Sequence, residues 1–128
     1  MDKLEYITGD LVKFATNTYT IVNFEENFLH NKICYALIST NSTKTALVAD
    51  RDILPIPLTL EILEKNGWKS INGKYALKIK NANYVVLEFT EDGIYTYINE
   101  NTMLFTIKYI HELQHLLYAL HIDSNLKI

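Results

Sequence analysis

His111-Glu112-Leu113-Gln114-His115 is the stretch of this chain whose residue types and spacing could do chemistry. Two imidazoles placed one helical turn apart lie about 40° from each other around the axis, so both can reach one metal ion. A carboxylate between them can take a proton from water bound to that metal. Zinc peptidases use this pattern, which makes His111 and His115 candidate zinc ligands and Glu112 a candidate general base. His121 also stands at the offset where the metzincin class of those enzymes places a third histidine.

Four features oppose the catalytic reading. The long metzincin pattern has Gly three residues after the second His, where the backbone turns and swings the third His back to the metal. This chain has Tyr118 there. The helix is therefore expected to run on, which puts His121 about 120° from His115 around the axis. Second, no downstream Glu is present, and the only carboxylate side chain after His115 is Asp123. Third, only residues 121–128 follow to build a cleft wall over the helix. Fourth, a pattern with two free positions recurs by chance. The expectation is a helix whose polar face carries His111, Glu112 and His115, solvated or against a partner, with no catalytic residue and no bound metal. His30 lies in a turn far away in sequence.

Other constellations are weaker. Glycine occurs only at Gly9, Gly67, Gly73 and Gly93, so there is no phosphate-cradling loop and no nucleophile elbow. The carboxylate pairs Glu25/Glu26, Asp50/Asp52 and Glu91/Asp92 fall in turn-like segments, where solvated turn chemistry outweighs acid–base work. The single Cys34 excludes an intramolecular disulfide and a cysteine zinc site, and its apolar neighbours Ile33 and Tyr35 to Ile38 make it a small buried hydrophobe. A net charge of -3 and one arginine, Arg51, argue against nucleic acid as a partner. With 48% apolar and 21% charged residues the composition is that of a globular protein. No leader-like or membrane-spanning apolar run is visible, so the expected location is the cytoplasm.

The elements that must position these residues divide the chain into a β-rich half over 1–54, a proline connector and short helix over 55–68, and a β-meander with a closing helix over 69–128. A single domain is expected. Leu11–Phe14, Tyr19–Phe24, Ile33–Ser39 and Thr45–Val48 read as short strands, with Glu25–Asn31 as a turn. Their spacing points to a small antiparallel barrel or bent sheet, SH3-like in kind. Pro55-Ile56-Pro57 reads as a stiff connector. The following helix has Thr59 as N-cap, Gly67 at the left-handed C′ position and Trp68 folding back on it. Tyr75–Lys80, Tyr84–Phe89, Ile94–Ile98 and Met103–Phe105 give a three- or four-stranded meander, with Asp92-Gly93 as its best hairpin signal. Ile107–His121 is the longest helical pattern. Thr106 is its candidate cap, and Tyr109, Ile110, Leu113, Leu116, Leu117 and Leu120 form its core stripe. The class is α+β.

Two blocks carry a resemblance. Ile56-Pro57-Leu58-Thr59-Leu60-Glu61-Ile62-Leu63-Glu64-Lys65-Asn66-Gly67-Trp68 resembles the "IPLTxEILxKNGF" block of small uncharacterised proteins from Bacteroidetes phages and mobile elements. Ile107-Lys108-Tyr109-Ile110-His111-Glu112-Leu113-Gln114-His115-Leu116 resembles the "IKYVHELQxL" block near the end of the same proteins. Trp68 and Ile110 stand where Phe and Val are usual. The resemblance implies a phage or prophage origin and a recurring structural helix at His111–His115. It implies no activity. The resulting expectation is a non-catalytic binding module, with countering host defence by holding a host protein or a nucleotide signal as its candidate role, and with Tyr118 and Ala119 as a second helix face for self-association. The alternatives are a zinc-dependent hydrolase and a minor phage structural or assembly protein.

Overall fold

The computed structural model describes residues 6–27, 32–39, 44–79, 83–99, 102–122, 124 and 126–128. The chain divides into two compact units, Met1–Ile56 and Pro57–Ile128, which part inside the Pro55-Ile56-Pro57 segment. Among the described residues each carries a five-stranded antiparallel sheet, and the second carries both α-helices, so the chain is α+β with strand predominating. Among the described residues no helix is long and apolar enough to cross a membrane.

In the first unit β1 (Leu11–Phe14), β2 (Asn17–Asn27), β3 (Lys32–Ser39), β4 (Thr45–Ala49) and β5 (Ile53–Pro55) form a sheet in the order β4-β3-β2-β1-β5. One turn of 3-10 helix, Asp50–Asp52, joins β4 to β5. Strand β1 pairs with β2 on one side and β5 on the other. Among the described residues no pairing joins β4 to β5, so the sheet stays open. Period-2 alternation directs Val12, Ile21, Tyr35, Leu37, Val48 and Ile53 into one core, with Tyr6 edge-on to Tyr35 at 5.6 Å.

Three expectations need correction here. Glu25–Asn27 continue β2 instead of turning, because their backbone pairs with β3 from Cys34 to Lys32. The register shifts between Ile21 and Asn23, and such a bulge bends a long strand. Pro55 is no free connector: it ends β5 opposite Val12, at a sheet edge where a missing N–H costs nothing. Cys34 is only half-buried, since the buried positions of β3 are its neighbours Tyr35 and Leu37.

The second unit runs α1 (Leu60–Lys65), β6 (Lys69–Ile71), β7 (Lys74–Lys78), β8 (Tyr84–Thr90), β9 (Gly93–Ile98), β10 (Thr102–Ile107) and α2 (Ile110–Ala119). The meander has five strands in chain order, more than expected. The overlooked strand is β6, short and wholly exposed, so no hydrophobic alternation marks it. Its hairpin turn is Asn72-Gly73, with φ of 52 and 81, the double positive φ of a type I′ turn. At the Asp92-Gly93 hairpin the turn residues are Glu91 and Asp92, and Gly93 opens β9 at φ 133. A Cβ on Gly93 would lie 2.7 Å from Thr106 Cγ2, so both backbone and space demand glycine.

Sheet register gathers Tyr75, Val85, Leu87, Ile94, Thr96 and Ile107 on one face. Val85, Leu87, Thr96 and Ile107 are fully buried there. The Tyr75 hydroxyl donates to Glu64 Oε1 of α1 at 3.2 Å, which fixes this as the face that carries α1. The opposite face holds a polar cluster: Lys74 pairs with Glu88 at 3.9 Å, and the Tyr97 hydroxyl donates to the same carboxylate at 3.3 Å.

Candidate functional site

The His111–His115 segment lies on α2, as its periodicity requires, but the helix is shorter than expected at both ends. It begins at Ile110 because residues 107–109 are held extended. Ile107 pairs with Ile94, the Lys108 carbonyl accepts from Leu58 N–H at 3.1 Å, and Tyr109 bridges to Pro57. Thr106 is therefore a strand residue and does not cap the helix.

Glu112 does the capping. Its Oε1 accepts the backbone N–H of Lys108 at 2.9 Å and of Tyr109 at 3.0 Å, while its own N–H donates to the Tyr109 carbonyl at 3.1 Å. A carboxylate three residues into a helix reaches back to the entry donors in this way, and the helix dipole favours its charge there. The candidate general base thus has a structural task. Swinging it onto a metal-bound water would release two N–H groups, at about 1–2 kcal/mol.

His111 is not on a solvated face. It is 2% exposed, its ring stacks on Tyr109 at 5.9 Å and 13°, and His115 meets it edge-on at 5.6 Å. Gln114 is buried as well, beside the expected stripe of Ile110, Leu113, Leu116 and Leu117. The buried arc is wide because the chain reverses after the helix. Ile122 N–H donates to the Leu117 carbonyl at 2.8 Å and His121 N–H to the Tyr118 carbonyl at 3.0 Å, the paired bonds of a Schellman turn. Ser124 then brings its carbonyl to Gln114 Nε2 at 3.2 Å.

His121 accordingly does not continue the helix. It sits at the left-handed C′ position, φ 58, exposed. Helix α1 ends in the same motif with Gly67 at φ 86, as its sequence predicts: Trp68 N–H donates to the Leu63 carbonyl and Trp68 folds back, 3% exposed. Thr59 Oγ1 accepts from Ile62 N–H, at a long 3.4 Å.

The fold therefore brings His111 and His115 together and turns Glu112 to the helix start. Among the described residues no three His, Cys, Asp or Glu side chains converge as a metal cage. His30 lies outside the described residues. Asp50 and Asp52 bracket the exposed 3-10 turn, Glu91 and Asp92 are exposed in a hairpin, and Glu25 and Glu26 fall in β2. Sequence reasoning missed Glu64 with Tyr75, and Asn66 with Lys127, because each pair spans elements that no local pattern links. Burial first, then the Glu64 hydrogen bond and charge, hold the Tyr75 phenol above its usual 10.0. Burial, then the Glu88 charge and hydrogen bond, do the same to Tyr97.

No protein-family model matches the chain, and no curated protein or solved structure matches it significantly.

Proposed function

We propose that this chain is a non-catalytic binding module of phage or mobile-element origin. The observation that carries the non-catalytic part is the double hydrogen bond from Lys108 and Tyr109 N–H into Glu112 Oε1. The only carboxylate spaced to serve the two histidines is spent on starting the helix. Burial of His111 against Tyr109 supports the same reading, because a buried stacked imidazole is a packing element before it is a ligand. The origin rests on the two resembling sequence blocks. Counter-defence, by holding a host protein or a nucleotide signal in the bacterial cytoplasm, is the role such a module would serve.

The first unit reads as an SH3-like sheet bent toward a barrel. Supporting this are the strand order with β1 between β2 and β5, the 3-10 turn between β4 and β5, and the bulge at Val22. Self-association through α2 draws on Tyr118, 69% exposed, beside exposed Ala119. A role in phage assembly would show itself as incorporation into virions.

The second reading is a zinc-dependent hydrolase. The 5.6 Å edge-on approach of the His111 and His115 rings favours it, since the pair is close enough to share an ion. Native mass spectrometry of the purified protein separates the two. The binding module is expected to carry no stoichiometric zinc. One zinc per chain, lost in His111→Ala and His115→Ala, with hydrolysis lost in Glu112→Gln, would overturn it.

A further inference from the structure

The C-terminal turns of α1 and α2 border one cleft of about 400 Å³, within the size range of small-molecule sites. Its apolar lining comes from Trp68, Leu77 and Leu126 with Leu117 and Ile122, the C3 and C″ residues of the α2 turn. Its polar lining includes Lys65, Lys78 and Lys127. Among the described residues no carboxylate lies within ion-pair distance of these three ammonium groups. The tail that forms one wall is fastened: Asn66 Nδ2 donates to the Lys127 carbonyl at 2.7 Å, and Lys127 N–H donates to Asn66 Oδ1 at 2.8 Å.

The sign of the field follows from magnitudes. Each helix C-terminus contributes roughly half a negative charge, reduced where a Schellman turn satisfies its carbonyls. Among the residues that line the cleft, three lysines and no carboxylate outweigh two such ends. We propose that this cleft binds a small amphipathic organic anion, with an apolar body against Leu77, Leu117 and Ile122 and a carboxylate or phosphate among the lysines. The bland account is that the lysines lay their methylenes over apolar surface and hold nothing. This inference rests on the binding-module reading and gives it a ligand class.

Trp68 is the only tryptophan in the sequence and lines the cleft, so its fluorescence reports occupancy. The intact protein is titrated with decanoate and with naphthyl phosphate, against decylammonium and naphthol as the cationic and neutral counterparts. Saturable one-to-one binding of either anion, and not of its counterpart, is expected. Decyl phosphate, which shares its alkyl body with decanoate, separates a carboxylate from a phosphate source. Lys65→Gln, Lys78→Gln and Lys127→Gln should each weaken it about threefold, as exposed charge pairs do, and rising salt should weaken it further. Amide shifts of Leu77, Leu117 and Ile122 in the unaltered protein locate the ligand independently of any variant's stability. No saturable response to either anion, equal binding of the counterparts, or unchanged affinity in the triple lysine variant would overturn the proposal. Such a failure leaves the binding-module reading standing, whereas stoichiometric zinc with Glu112-dependent hydrolysis removes that reading whatever the titration gives.

Discussion

Asn66 and Lys127, 61 positions apart, are joined by two hydrogen bonds, side-chain amide to backbone carbonyl at 2.7 Å and backbone N–H to side-chain oxygen at 2.8 Å. The same Nδ2 also donates to the Ile62 carbonyl at 2.7 Å. One side chain thus caps α1 and pins the tail. Asn66→Ala should cost about 1 kcal/mol or somewhat more, read as a lowered urea midpoint, with faster amide exchange at Lys127. Asn66→Asp keeps the acceptor for Lys127 N–H and loses both donations. It should slow that exchange relative to Asn66→Ala. Equal exchange in all three proteins would show that the tail is held by other contacts.

Thr96 repairs the bulge in β10. Its hydroxyl donates to the Phe105 carbonyl at 2.6 Å and accepts Phe105 N–H at 3.1 Å, where the β9–β10 register shifts between Met103 and Thr106. Thr96 is fully buried, and Thr96→Val removes both hydrogen bonds to Phe105, about 1–3 kcal/mol for the pair. Thr96→Ser keeps the hydroxyl and loses one methyl, about 0.8 kcal/mol. Chemical denaturation of the two variants checks the order. Valine proving the milder change would show that packing of the methyl matters more than the two hydrogen bonds.

Much of the fold was legible where one local rule acted alone. Thr59, Gly67 and Trp68 announced α1, and apolar, β-branched or aromatic runs bounded by turn residues announced β1, β3, β8 and β9. Legibility failed where tertiary pairing overrode a local pattern. Ile107 to Tyr109 fit the helical period, yet β9 and the Pro57–Leu58 segment hold them extended. The exposed β6 has no apolar signature, and only Asn72-Gly73 could have revealed it. At the candidate site the sequence placed His111 and His115 on one helix, but a helical wheel could not foresee that the chain reverses at His121 and comes back over Gln114. The reach of Glu112 back to the helix start was visible in principle. A Glu three residues past a helix entry is a capping signal, and here the same Glu also completes the metal motif.

The two Schellman turns differ in one respect that can be measured. Gly67 occupies C′ of α1 at φ 86, and His121 occupies C′ of α2 at φ 58. A left-handed residue with a Cβ costs about 1 kcal/mol relative to glycine. Gly67→Ala should therefore lower stability by about that amount, although nothing lies within 4 Å of the added Cβ. His121→Gly should raise it by about 0.5–1 kcal/mol. Paired thermal melts check both signs. A destabilised His121→Gly would show that the imidazole makes a contact worth more than the strain.

Tyr75 sets an alkaline limit. Burial, then the Glu64 hydrogen bond and charge, keep its phenol above 10.0 in the folded chain. A group with a raised folded pKa contributes stability that is complete below the unfolded value and is lost as pH climbs through the folded one. Stability should fall from about pH 10 upward, where the unfolded chain gives up its phenol protons first. Tyr75→Phe should flatten part of that fall, and Tyr97→Phe another part, since Tyr97 is raised by burial and by Glu88. Urea midpoints across the alkaline range, beside the ultraviolet titration of the phenols, check it. A fall of equal steepness in both variants would place its origin elsewhere.

Glu112 discriminates structure from chemistry. Its Oε1 serves two backbone donors at the start of α2, and glutamine can accept the same two bonds through its amide oxygen. Glu112→Gln should keep α2 intact and cost a few tenths of a kcal/mol for the lost charge at the helix start. Glu112→Ala releases both donors and should cost about 1–2 kcal/mol. A hydrolase orders the same pair differently: the amide cannot take a proton from metal-bound water, so glutamine would be as inactive as alanine while remaining as stable as the parent. Melting curves and zinc-supplemented hydrolysis assays on the parent, Glu112→Gln and Glu112→Ala therefore answer separate questions. A graded loss of stability, without any zinc-dependent hydrolysis in the parent to lose, is the outcome that a capping carboxylate requires.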